Sequence, residues 1–263
     1  MSGNATARAY RATVQYDGTA YFGFQRQRRG PGREGASIQE ELEQALARLA
    51  GHSIRVTGAG RTDAGVHATG QVVAFTIEWP AQHGATALLR ALNANLPQDV
   101  VVSELAGAPS GFHPRFDARR RTYEYHILNA PVRQPLLRWR AWHVSTVLDM
   151  ARMNEAASLL NGMQDFATFG RAPVGENTVR EVVGAQWRRE GQLLVFRITA
   201  DAFLYRMVRS VVGSLKMVGS GRWSVDDFAV ALRARERKRS ATAAPAHGLY
   251  LVAVEYDETA SVG

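Results

Sequence analysis

Apolar and polar residues alternate over Tyr10–Tyr16, which puts Tyr10, Ala12, Val14 and Tyr16 on one face of a predicted strand; Asp17-Gly18 then turns the chain. After Ser37 the period lengthens. Ile38, Leu42, Ala45, Leu46 and Leu49 form a helical stripe, opened by a Ser37/Glu40 capping box and closed by Gly51. Strands are expected at Ile54–Thr57 and Gln71–Trp79, a short helix near Ala85–Leu92 and a strand at Val100–Leu105.

The second half follows the same order. Thr122–Leu128 alternates as a strand with Tyr123, Tyr125 and Ile127 on one face, and Leu148–Leu160 reads as a helix ending at Gly162. Val179–Arg188 and Leu193–Thr199 read as a hairpin joined through Glu190-Gly191. A helix over Ala202–Val218, an additional one over Val225–Arg239 and a strand at Leu249–Tyr256 complete the half.

Each half therefore reads strand–helix–strand–strand–helix–strand, the split-βαβ order of ferredoxin- and RRM-like folds. The expectation is an α+β protein of two such halves, residues 1–108 and 109–263, without visible sequence similarity between them. Antiparallel sheets set side by side, with helices on one face, would leave a central cleft suited to a polymer substrate.

Charge sharpens this picture. The 263 residues carry 32 basic and 24 acidic side chains, a net +8, and all the basic residues except Lys216 and Lys238 are arginine. Arginine grips phosphate with a planar fork and stacks on bases, so a polyanion is the expected partner, nucleic acid ahead of membrane. There are no cysteines, which removes disulfides, thiolate metal sites and thiol nucleophiles and is compatible with a reducing cytoplasm. Met1–Ala9 has no apolar signal-peptide core, and no apolar stretch is long enough to cross a bilayer.

The run Gly60-Arg61-Thr62-Asp63-Ala64-Gly65-Val66-His67-Ala68 places one carboxylate in a glycine-flanked loop with a cation two residues before it. A carboxylate nucleophile needs a fixed direction and a partner that keeps it ionised. Spacing alone favours a polar loop with a local Arg61–Asp63 pair. Arg206, Arg209, Gly213 and Lys216 share a face of the predicted Ala202–Val218 helix, where phosphates, Asp63 or a structural acid could answer the arginines. Arginines at 119–121 run into Tyr123 and Tyr125, a pattern that suits RNA and base stacking, although Tyr125 reads better as core. Arg26, Arg28, Arg29 and Arg33 flank a Gly30–Gly35 loop, either a solvated loop or a phosphate-gripping arm. Histidines 67, 113, 126 and 143 stand at no metal-ligand spacing, and no phosphate-binding glycine motif accompanies a strand–helix unit, so neither metal nor nucleotide cofactor is expected.

Taken together, these residues resemble the tRNA pseudouridine synthase A family. Tyr16-Asp17-Gly18-Thr19 with Tyr21, Gly23, Gln25 and Gln27 is similar to its opening motif, and the Gly60–Ala68 run to its catalytic motif. Leu92–Pro97, Phe112-His113 with Arg115-Phe116, Arg121–Tyr123, Asp165-Phe166, Ala202–Arg209 and Ala244-Pro245 with Gly248-Leu249 continue the resemblance in order. Phe24 stands where the family usually has Trp, Pro114 replaces a small residue, and the arginine-rich loop is longer than usual.

The resemblance implies isomerisation of uridine to pseudouridine at positions 38, 39 and 40 of the tRNA anticodon stem-loop, without cofactor. It implies Asp63 as nucleophile, attacking C1′ of the ribose or C6 of the uracil. Tyr123 would pack against the uracil, Arg209 would pair with the aspartate, and Arg61 would hold the flipped nucleotide. Arg26, Arg28, Arg29 and Arg206 are weaker candidates for RNA contact. A cytoplasmic homodimer with tRNA lying across both subunits is also implied.

Overall fold

In the computed structural model, which describes residues 6–27 and 35–257, the first strand, β1 (Thr6–Tyr16), buries the predicted face Tyr10, Ala12, Val14 and Tyr16. The first helix, α1 (Ile38–Ala50), starts at Ser37 as its capping box requires: Ser37 Oγ accepts from Glu40 N, and Glu40 Oε2 accepts from Ser37 N at 2.7 Å. Gly51, with φ of 76°, supplies the left-handed turn that ends it. Of the predicted stripe, Ile38, Leu42, Ala45 and Leu46 are buried and Leu49 is partly exposed.

The short β2 (Thr57–Gly58) pairs antiparallel with β3 (His67–Trp79). The expected strand at Ile54–Thr57 is thus mostly unpaired chain: Ile54 and Val56 are buried, and that burial, not a ladder, accounts for the apolar pattern. The helix α2 (Gly84–Asn95) and the strand β4 (Val100–Gly107) are tied together by Asn93, whose side chain donates to Val102 O and accepts from Val102 N, both at 2.8 Å. The order is β4-β1-β3, with β2 pairing β3 on the far side and β1 antiparallel to both neighbours. That is the split-βαβ arrangement.

The chain divides into two units, one of Met1–Arg119 with Leu251–Gly263 and one of Arg120–Tyr250. The last strand of the chain, β10 (Leu249–Glu255), neighbours β3 in the first. In the second, β5 (Arg120–Asn129), β9 (Leu193–Ala200), β8 (Val179–Glu190) and β7 (Gly162–Asp165) lie in that order, each pair antiparallel. The β8–β9 hairpin turns at Gly191, φ 60°, as expected. Two strands are additional to the predicted order: β6 (Trp142–Val144), parallel to β5, and β7, which occupies the place read as a helix end at Gly162.

Three helices pack in this unit, α3 (Met150–Ser158), α4 (Met207–Gly219) and α5 (Val225–Ala234). The helix expected over Ala202–Val218 begins five residues late. Tyr205 forms an antiparallel bridge with Arg171, and Arg206 adopts φ 62°, a left-handed conformation that no helix continues through. Arg206 is therefore at the N-cap of α4 and off the face that carries Arg209, Gly213 and Lys216. Likewise α5 stops before a left-handed Arg235, φ 55°, short of the predicted Arg239.

Candidate active site

Asp63 is half-buried in the loop 59–66 between β2 and β3, and the backbone around it is held from several sides. Gln71, wholly buried on β3, donates Nε2 to the Gly60 carbonyl at 2.9 Å and accepts from the Gly60 amide at 3.2 Å. Thr62 Oγ1 lies 2.8 Å from the Tyr16 hydroxyl, and its carbonyl accepts from Phe24 N at 3.1 Å. Beyond Asp63, Gly65 N donates to Tyr21 O at 3.4 Å and Val66 N to Asp63 O at 3.1 Å. The Tyr16–Phe24 segment is thus a wall against which the loop is pressed.

That contact needs glycine at two points. A Cβ on Gly18 would overlap the Val66 carbonyl, and one on Gly23, φ +86°, would overlap the Thr62 carbonyl. The wall is itself braced. Asp17 Oδ1 accepts from Thr19 N at 3.1 Å and Thr19 Oγ1 at 2.6 Å, and the Tyr21 hydroxyl donates to Asp99 Oδ1 at 2.5 Å. Burial, followed by the Asp99 carboxylate, raises the Tyr21 hydroxyl above the usual tyrosine range, so it stays protonated. His67 Nδ1, buried at the start of β3, lies 3.1 Å from both Asp17 Oδ1 and Gly18 N.

Arg61 is exposed and makes no ion pair with Asp63, which removes the local-pair reading of the loop. It lines a groove of about 180 Å³ with Arg55, His113, Arg115 and Phe116. One wall of the groove comes from the Phe112–Phe116 motif, where His113 Nδ1 accepts from the amides of Arg115 at 3.2 Å and Phe116 at 3.3 Å. Phe116, 75 % exposed, is left standing at its edge. Arg26 faces the acidic side of α1, 3.7 Å from Glu40 and 4.0 Å from Glu43, while Arg28, Arg29 and Arg33 lie outside the described residues.

In the second unit Tyr123 and Tyr125 share a face of β5. Tyr125 is core, with no exposure: its hydroxyl donates to the Pro245 carbonyl at 2.8 Å, and burial pushes its ionisation above the ordinary range. Tyr123 is buried edge-on against Phe203, ring centres 4.9 Å apart. Arg209, on the first turns of α4, donates Nε to the Ala244 carbonyl at 2.7 Å, and Ala244 N returns a bond to Arg209 O at 2.9 Å. One helical turn on, a Cβ at Gly213 would overlap the Thr242 carbonyl. The Thr242–Pro245 segment is thus a strap that fixes the guanidinium of Arg209 and the ring of Tyr125 by neighbouring carbonyls.

The four histidines weighed as ligands have separate surroundings. His126 stacks on Tyr250 at 4.5 Å and lies 3.4 Å from Glu124, and His143 Nε2 is 2.9 Å from the Ala130 carbonyl. Among the described residues no three His, Asp or Glu side chains gather as metal ligands.

Sequence reading missed Gln71. Its signal was a single uncharged amide opening the run Gln71–Trp79, where an apolar residue would do for packing alone. It also missed Arg171 and Arg237, which no local pattern joins to Arg206 and which come together only through the Arg171–Tyr205 bridge and the turn after α5.

A family model described as tRNA pseudouridine synthase matches residues 12–117 and 156–257. The chain is similar to proteins named tRNA pseudouridine synthase A. It is 42% identical to that of Methylacidiphilum infernorum over 255 residues, covering 96% of this chain and 97% of that protein. It is 40% identical to that of Francisella tularensis subsp. novicida, covering 95% and 94%. With that of Caulobacter vibrioides the identity is 42%, covering 95% and 99%.

Proposed function

The chain belongs to the tRNA pseudouridine synthase family, and from that premise we propose that it acts at positions 38, 39 and 40 of the anticodon stem-loop, with Asp63 as nucleophile. As a family member it is an isomerase that forms pseudouridine from uridine in tRNA. What supports Asp63 is the clamping of its loop: Gln71 and Phe24 hold the backbone before this half-buried carboxylate, Tyr16 meets the Thr62 side chain beside it, and Tyr21 holds the backbone after it. A nucleophile is aimed this way, because directional attack requires the backbone beneath it to be stationary.

The reaction conserves atoms. The N1–C1′ bond of the uridine breaks, a C5–C1′ bond forms, the C5 proton leaves and N1 ends as N–H. Attack of Asp63 on C1′ frees the uracil to turn; attack on C6 makes an adduct in which the base turns while covalently held. Both routes need an ionised carboxylate. Arg209 is the proposed cation of the site, since a guanidinium keeps its proton at any working pH and cannot compete as a nucleophile. Tyr123 is the proposed packing partner of the flipped uracil and takes part in removal of the C5 proton. Arg61 is the proposed clamp on the flipped nucleotide. Unstacking a base costs a few kcal/mol, about what one aromatic contact and the phosphate contacts return.

The homodimer, with tRNA across both subunits, and the cytoplasmic location are part of the same proposal; light scattering on the purified protein tests the first. The central test is pseudouridine mapping of tRNA treated with wild type and with Asp63→Asn. Conversion at 38–40 by the wild type alone is expected. Conversion confined to other positions would overturn the site assignment, and wild-type turnover by the Asn variant would overturn the nucleophile.

A further inference from the structure

We propose that Arg171, Arg206 and Arg237, beside the exposed ring of Tyr205, form a binding site for a backbone phosphodiester of the RNA substrate. The proposal rests on the tRNA reading above and adds a place where that RNA is held.

Three stretches of the second unit converge here. Tyr205 N donates to the Arg171 carbonyl at 2.9 Å in the bridge between the loops after β7 and β9. Arg237 Nη1 donates to the Thr168 carbonyl at 2.8 Å, Glu236 N to Thr168 Oγ1 at 3.2 Å, and Thr168 Oγ1 to the Ala231 carbonyl at 2.8 Å. A Cβ on Gly170 would overlap Leu204, so the first two loops are in close contact. The three arginines therefore project from a framework bound at the backbone.

Their charge is uncompensated. Among the described residues none of the three has a carboxylate partner. The nearby acids are engaged elsewhere: Asp165 lies 3.4 Å from Arg235 and accepts from Thr178 Oγ1 at 2.6 Å, and Glu236 lies 3.0 Å from Lys238. Partial burial and the like charges of Arg171 and Arg206 draw the Arg237 guanidinium below its usual range, the sign of cations held together without an anion. The N-terminus of α4, with no side-chain cap, adds partial positive charge at the same place.

The backbone also carries strain there. Arg206 has φ 62°, a left-handed conformation that is unfavourable for a residue with a Cβ. Its guanidinium carbon stands 5.1 Å from the centre of the Tyr205 ring, which is 51 % exposed. A stacked, aimed guanidinium beside an exposed aromatic suits a phosphate flanked by a ribose or base. A carboxylate would answer the charge but not the ring.

The test measures tRNA binding as a function of salt for the triple variant Arg171→Ala, Arg206→Gly, Arg237→Ala. Glycine at 206 keeps the left-handed backbone. Affinity should fall about tenfold at physiological salt, and the slope of log K against log salt should become shallower by about 1 to 2. A control triple at the exposed Arg189, Arg222 and Arg233, each changed to Ala, removes the same charge and should leave both near wild type. Wild-type affinity and slope in the first triple, or an equal loss in the control, would overturn the site. A change in oligomeric state with tRNA affinity intact would also overturn it. Should the triple fail to fold, Arg206→Gly alone reads the same loss at smaller size, and wild-type binding by it counts against the proposal. Failure of the underlying function is read separately, as absence of pseudouridine after treatment with unaltered protein.

Discussion

Gln71 grips the peptide of Gly60 at both its carbonyl, 2.9 Å, and its amide, 3.2 Å, from a position with no solvent exposure. The side chain takes the place that a paired strand would otherwise fill beside β3, and it fixes the chain three residues before Asp63.

Gln71→Leu should therefore leave two peptide groups unanswered and destabilise the protein by about 2–4 kcal/mol. Turnover should fall further than tRNA affinity, because the carboxylate loses its aim. Urea unfolding and steady-state kinetics on one preparation check both parts.

Asp63→Asn should abolish turnover, by about a thousandfold or more, with the melting temperature and tRNA affinity retained. Pseudouridine mapping with tRNA binding on the same sample checks this. A variant that loses affinity in parallel with turnover would point to a binding role for the carboxylate.

Tyr123→Phe keeps the ring that packs edge-on against Phe203 and removes only the hydroxyl. We expect turnover to fall at least about tenfold with tRNA affinity unchanged, as for a group that moves a proton. Single-turnover kinetics would show it, and an unaltered rate would restrict the residue to packing.

For Arg209→Ala a severe loss of turnover is expected. Arg209→Lys should rescue it incompletely, because lysine restores the charge without the Nε bond to the Ala244 carbonyl that orients it. Equal rates for Lys and Arg would show that charge alone suffices.

Acid should lower the stability of the protein in two stages. Burial lowers the affinity of His126 for its proton, despite the nearby Glu124. A histidine held neutral by the fold contributes stability above its ordinary range and loses it as pH falls below that range and through its lowered one. Burial opposes the charge of Glu124, but bonds from Arg188 at 3.0 Å and Arg197 at 2.9 Å, and the neighbouring His126, outweigh it and keep the carboxyl below its usual range. Its contribution is complete above the ordinary carboxylate range and disappears as pH falls below it. Melting temperature against pH should show both losses, and Glu124→Gln should remove the second.

Much of this was legible in the sequence because it is written locally. The Ser37–Glu40 box, the Gly51 stop and the alternation of Tyr10–Tyr16 each depend on residues a few positions apart, and they stand as read. The onset of α4 was not legible: Phe203 and Leu204 continue a helical pattern, and only the bridge from Tyr205 to Arg171 interrupts it. Ile54 and Val56 look like a strand because burial, not pairing, demands apolar residues there. At the candidate site the Asp63 motif was visible, whereas Gln71, whose partner lies eleven residues away, reads as an ordinary polar side chain.

The strap of Ala244 and Pro245 has a temporal consequence. The Arg209 bond to Ala244 spans 35 residues and the Tyr125 bond to Pro245 spans 120. During synthesis at about 5–20 residues per second, Arg209 is made roughly 2–7 s before the carbonyl that orients it. A nascent chain therefore completes α4 before the strap that orients the Arg209 guanidinium and the Tyr125 ring has been made.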